Sequence, residues 1–194
     1  MRLAPSSSEY SVWLWRWTKV FGACGIVLAR VGGTPPASLL CSGVAPTIRP
    51  AVSTDQRTIR ALVRSAGINP MNLAWPKFLV AEEDGAIVGI GQVKSHGDGS
   101  RELASMVVVP ERQGAGIGGA IVSALLERHG GGVLHLTCRR ELRGYYERFG
   151  FEALARRDWP PYFARMLPVV NFFVRMRGSE IIVMRRQPVA HASR

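Results

Sequence analysis

The stretch "VVVPERQGAGIGGAIVSALLER", residues 107–128, decides how this chain folds. A run of valines, the mark of a strand buried on both faces, ends at Pro110. Six glycines or alanines follow within the seven residues 114–120. Ile117, Ile121, Ala124 and Leu125 then repeat at helical spacing. The segment reads as buried strand, bare loop, helix. A helix start leaves about four backbone N–H groups without partners, and its dipole adds roughly half a positive charge. Glycines there remove side chains that would hold a ligand away. The combination makes a cradle for an anion, most often phosphate. Tight strand-to-helix packing alone is the plain alternative.

The remainder of the chain falls into order around this segment. "TIRPAV" is a short strand. "STDQRTIRALVRSAG" (53–67) reads as a helix, with Ser53 and Gln56 at capping-box spacing and a stop at Gly67. "KFLVAE" (77–82) and "AIVGIGQV" (86–93) flank an Asp84-Gly85 turn, and "SHGDGS" (95–100) is a second turn before "ELASMVVV" (102–109). Beyond the glycine helix come a buried strand "VLHLTC" (133–138), a short helix "RELRGYYERFG" (140–150), a strand opening at "FEALAR" and a last strand "EIIVMRR" (180–186). The expected class is α+β: a mixed, mostly antiparallel twisted sheet with a helical crossover near its middle. The proline-punctuated link 158–179 is long, and its Trp159, Tyr162, Phe163, Phe172 and Phe173 would either pack on the sheet or wall a ligand site.

Charge and cysteine content set bounds. Of the 194 residues, 47% are hydrophobic, enough for one real core. The net charge of +11 is uneven: +3 over 1–46, +2 over 47–152 and +6 over 153–194. A basic end attracts nucleic acid, anionic lipid or an acidic ligand, or is simply solvated. Cys24, Cys41 and Cys138 form no disulfide framework and no metal-ligand spacing, so no metal is expected and a reduced compartment fits. Residues 1–46 read as an N-terminal extension ending in the linker "VGGTPPASLLCSGVAP" (31–46), 47–186 as the folded domain and 187–194 as a tail. The apolar run Val20–Ala29 is short for a membrane span. It is compatible with a signal h-region, an organelle or plastid transit peptide, an amphipathic helix touching a membrane, or a start codon placed too far upstream. The expected location is cytoplasmic, or an organelle if 1–46 is a transit peptide.

Which anion the glycines hold is narrowed by elimination. Gly114, Gly116 and Gly119 satisfy G-x-G-x-x-G literally, but Pro110–Gln113 separate them from the strand and no acid ends the next strand, where Cys138-Arg139-Arg140 stand. No G-x-x-x-x-G-K-[ST] is present. Gln113-Gly114-Ala115-Gly116-Ile117-Gly118 is Q-x-x-G-x-G, and "YERFGF" (146–151) follows at Y-x-x-x-G-F spacing. Together these resemble the GNAT family of N-acetyltransferases over about residues 47–186.

The resemblance implies a GNAT-like sheet with helices on both faces and a splayed central strand pair. It implies acetyl-CoA as co-substrate, its pyrophosphate on the amides of Gln113, Gly114, Ala115, Gly116, Ile117 and Gly118. Its arm would lie along Met106, Val107 and Val108, with the free N–H groups on Met106 and Val108. The implied reaction is direct attack of a primary amine, from a protein N-terminus, a lysine or a small molecule, in a ternary complex. Tyr146 would protonate the leaving thiolate. Glu102, four residues before Met106 and so expected on the same side of the strand, would serve as base; a rim position paired with Arg101 is its alternative. Arg139 stands where many relatives carry Asn, and would bind a CoA phosphate, meet an acidic acceptor or be solvated. A non-catalytic acyl-CoA-binding module is the competing reading, and a basic nucleic-acid-binding protein a weaker one.

Overall fold

A computed structural model describes residues 45–175 and 178–188; the expectations for the N-terminal extension and for Cys24 and Cys41 lie outside the described residues. The strands are β1 (Thr47–Pro50), β2 (Phe78–Glu83), β3 (Ala86–Ser95), β4 (Arg101–Val108), β5 (Leu134–Arg139), β6 (Glu152–Ala153) and β7 (Ile181–Arg186). The helices are α1 (Gln56–Ser65), α2 (Ile117–His129), α3 (Arg143–Glu147) and α4 (Pro161–Arg175). One sheet runs β1-β2-β3-β4-β5-β7-β6, antiparallel throughout except for the parallel pair β4–β5. The expected α+β architecture is present.

The sheet divides the core in two. On one face, α2 and α3 cover Leu79, Ala81, Leu103, Met106, Leu136 and Cys138 through Ile117, Ile121, Leu125 and Tyr146. On the other, α1 covers Phe78, Val80, Ile90 and Val107 through Ile59 and Val63. Farther along that second face, α4 covers Ile181 and Val183 through Phe163, Leu167, Val170 and Val174. Each such fully buried side chain contributes roughly 1.5–3 kcal/mol.

Three local readings are corrected. Helix α1 is not started by a Ser53–Gln56 box. Val52 takes the N-cap position over a 3-10 turn, and the Asp55 carboxylate accepts its N–H at 2.8 Å. Asp55 wins because Arg49 also fixes it, at 2.8 Å, whereas the Gln56 side chain is spent on Leu73 O and the Trp75 N–H. The Arg49 hydrogen bond, opposed by burial and helped by the Val52 N–H, holds the Asp55 carboxyl below the usual range. The strand expected from Phe151 is only two residues long. The proline-rich link holds helix α4, with Pro168 inside it. The i, i+4, i+7, i+11 pattern of its buried residues outweighs the one hydrogen bond that proline removes.

Candidate active site

The central pair β4–β5 is joined only at Glu102↔His135 and Leu103↔Leu136. Beyond those pairs β4 continues to Val108 and β5 to Arg139, unpaired with one another. The strands are parallel, so the gap opens toward their C-terminal ends, where the glycine loop leaves β4. On its other side β4 is held by β3, where the Val109 N–H donates to Val88 O at 2.9 Å. The alternation of an antiparallel ladder then turns the Val107 peptide toward β3 and those of Met106 and Val108 toward the gap. Consistent with this, Val108 O accepts the Gln113 Nε2–H at 3.0 Å. Val107, included among the expected contacts, faces away.

Ser105 stands at φ 54, in a bulge where β4 spends one residue more than β3 between Ala104 and Val107. The bulge overturns the expected relation between Glu102 and Met106. Without it, residues four apart share a face. With it, Leu103 and Met106 share the α2 face, while Glu102, Ser105 and Val107 lie on the face of α1 and α4.

At the wide end, Gly114 and Gly116 adopt φ 84 and 80, where other residues are strained, and a Cβ on either would meet open space. Gly116 caps α2 with no side-chain hydrogen bond, so the first-turn amides of the helix face outward. Gly118 serves packing as well, since a Cβ there would stand 3.2 Å from the Tyr145 hydroxyl. Packing and ligand access are thus shared between neighbouring glycines. Ile117 is buried in the core and offers the loop only its amide; Ala115 completes the loop. Arg139 ends β5 at the same edge of the sheet.

Tyr146 is buried on the α2 face, edge-on to Tyr145 and Phe151. Burial, reinforced by neighbouring Cys138, pushes its hydroxyl far above the usual phenol range, so it stays protonated. Glu102 is buried on the opposite face, where Thr137 Oγ1–H donates to Oε1 and His96 Nε2 meets Oε2, both at 2.9 Å. No pairing with Arg101 is needed to explain it. His96 stacks on Tyr162 at 3.6 Å between centroids. Burial, Glu102 and Asp98 push the Tyr162 hydroxyl up to about 12. Among the described residues no cluster of three metal-ligand side chains occurs, and no helix is long and apolar enough to cross a membrane.

Residues 74–153 match the family model for the acetyltransferase (GNAT) domain. The chain carries a GNAT domain. Its fold is similar to that of N-acetylglutamate synthase from Neisseria gonorrhoeae, complexed with coenzyme A and N-acetyl-glutamate, at TM-score 0.58 and 19% identity over 75% of this chain and 36% of that one. A Mycobacterium tuberculosis protein in complex with CoA aligns at TM-score 0.58 and 24% identity, over 74% of this chain and 100% of that one. The yncA protein of Salmonella typhimurium, with its cofactor acetyl-CoA, aligns at TM-score 0.54 and 20% identity, over 78% and 98%. The chain spans about a third of the synthase's length. No curated protein matches it.

The GNAT domain brings Met106, Val108, Gln113 to Gly118 and Arg139 to one edge. Glu102 and Tyr146 lie on either face of the gap. Sequence reasoning missed Gln92, Lys94, His96, Ser105 and Thr137, which surround Glu102. The signal was present: in "GIGQVK" (89–94), Gln92 and Lys94 are polar at alternate positions of an otherwise apolar run.

Proposed function

We propose that this chain is an acetyl-CoA-dependent N-acetyltransferase acting on a primary amine in a ternary complex. The gap between β4 and β5, opening onto a bare helix start, carries the reading. An edge of buried strand with inward-facing amides is costly unless a ligand supplies acceptors. The open space over Gly114 and Gly116 fits a diphosphate, and the amides of Gly114 to Gly118 would hold it, the Gln113 N–H being spent on Pro110 O at 3.3 Å. The Val108 amide would take an amide oxygen of the arm, and Arg139 a phosphate. Acetyl-CoA supplies the thioester: the acceptor nitrogen gains the acetyl carbon and the sulfur departs as thiol.

The residues divide that work between the two faces. The Met106 N–H polarises the carbonyl oxygen, an oxyanion-hole role. Tyr146, kept protonated by burial, donates to the departing sulfur from the α2 face. Glu102 takes the proton the nitrogen must lose, from the opposite face. The need for that base depends on the acceptor: freeing a lysine amine at pH 7 costs roughly 4–5 kcal/mol, a peptide α-amine only about 1 kcal/mol. The experiment is CoA-thiol release with amino acids, polyamines, lysine peptides and peptides with free N-termini, for the wild type and Tyr146→Phe. Turnover of one class, reduced about a hundredfold by the substitution with CoA binding intact, is expected. CoA binding with no turnover on any amine makes the protein a binding module instead.

A further inference from the structure

Lys94 and Glu102 are direct cross-strand partners on β3 and β4, and both are buried, at 6% and 7% exposure. Two opposite charges so placed would ordinarily close on one another. Here each is drawn elsewhere. The Lys94 ammonium donates to Met71 O at 3.0 Å, in the loop joining α1 to β2. The Glu102 carboxylate is held by Thr137 and His96. Two residues along β3, Gln92 spends its Nε2 on Ser105 Oγ at 2.9 Å, and its Oε1 is buried without a donor. Gln92, Lys94 and Glu102 share the sheet face between the footprints of α1 and α4, across the sheet from Tyr146.

This arrangement asks for a ligand with charges of its own. A buried cation, a buried anion and an orphan acceptor are expensive to leave apart. A carboxylate placed at Lys94 and a nitrogen placed toward Glu102 and Gln92 Oε1 would satisfy all three. Resting on the transferase reading above, we propose that the acceptor is a small amine carrying its own carboxylate, an α-amino acid being the simplest, anchored by Lys94. Burial holds the Lys94 pKa below the usual lysine range against the pull of neighbouring Glu102, and an incoming carboxylate would raise it. The acceptor's carboxylate also holds its ammonium above the range of a peptide N-terminus, so it depends more on Glu102. A peptide N-terminus carries an amide where the carboxylate belongs and leaves Lys94 unmatched. Sites built around a buried polar partner reject analogues lacking it strongly.

The test is steady-state thiol release by the full chain with acetyl-CoA and the free amino acids. For the best of them, the carboxamide and the decarboxylated amine are compared with the acid. The acid should exceed both by about a hundredfold or more in kcat/KM. Lys94→Met should remove most of that preference and Lys94→Arg should restore part of it, CoA titration confirming that both variants are folded. If the carboxamide or the decarboxylated amine matches the acid, or Lys94→Met leaves the preference intact, the assignment is overturned while the transferase reading stands. If no amine of any class is acetylated although CoA binds, the transferase reading itself falls. Should Lys94→Met not fold, the wild-type comparison alone decides.

Discussion

A carboxylate serves as a base only if its lone pairs point at the proton, and both Glu102 oxygens are already oriented by neighbours, Thr137 on one and His96 on the other. His96 is in turn fixed against the Tyr162 ring. Glu102→Gln keeps the shape and removes the base, so kcat should fall about a hundredfold. His96→Asn removes only the orientation, so a fall of about tenfold in kcat with little change in KM for acetyl-CoA is expected. In the Glu102→Gln background His96→Asn should then cost little more, because the two act as one unit. Steady-state kinetics of the four proteins checks this, and additive losses would assign His96 a separate role. Tyr146 was legible because its motif, Y-x-x-x-G-F over 146–151, is written in consecutive residues. The His96–Glu102 contact was not, because its partners come from a turn and a strand that only folding brings together.

Elements meet in this fold where side chains are missing. Helix α2 lies close against β3 because Gly89 and Gly91 leave room for Ile117 and Ile121; a Cβ at Gly91 would stand 2.8 Å from Ile121 Cγ2. Gly91→Ala should therefore cost about 1–3 kcal/mol in urea unfolding, the penalty of overpacking. Helix α4 is tied by its start: the Tyr162 N–H donates to Asp98 Oδ2 at 2.7 Å across the β3–β4 turn. Desolvation opposes ionisation of Asp98, but hydrogen bonds from Ser100 and from the Tyr162 N–H prevail and hold its carboxyl down at about 2. A carboxyl depressed in the folded state stabilises above its unfolded pKa, and the contribution is lost as pH falls through the folded value. Wild-type stability should thus drop more than that of Asp98→Asn between about pH 4 and pH 2. The group is exposed, so the difference at neutral pH should be small, about 1 kcal/mol or less. Acid titration of both proteins by circular dichroism measures it. The sequence hid α4 because Pro160, Pro161 and Pro168 read as breaks, although the first two are suited to a helix start and the third is outweighed by packing. It hid the bulge because Ser105 carries no signature of positive φ; alternation counted across it assigned Met106 to the wrong face.

At the scale of the whole domain, one sheet separates two jobs. The α2 face holds the glycine loop and Tyr146; the α1–α4 face holds Glu102 and the polar cluster around it; only the gap beyond Leu103↔Leu136 connects them. The strand order and the loop were readable from composition and periodicity, since each is written in consecutive residues. The division of faces was not, since it depends on one bulge and on where β5 stops following β4. The gap also sets a dynamic expectation. Amides on the β3 side of β4, such as Val107 and Val109, are locked in the ladder and should exchange with solvent deuterium only through larger openings. Met106 and Val108, one residue away along the same strand, face the gap and should exchange faster in the free protein. Saturating CoA should slow those two, together with the amides of Gly114 to Gly118, and leave Val107 nearly unchanged. Such a two-residue alternation cannot come from general stabilisation, which would slow all of β4 alike. Residue-resolved hydrogen exchange by NMR, with and without CoA, reads it directly, and uniform protection along β4 in the free protein would mean that the strands do not part.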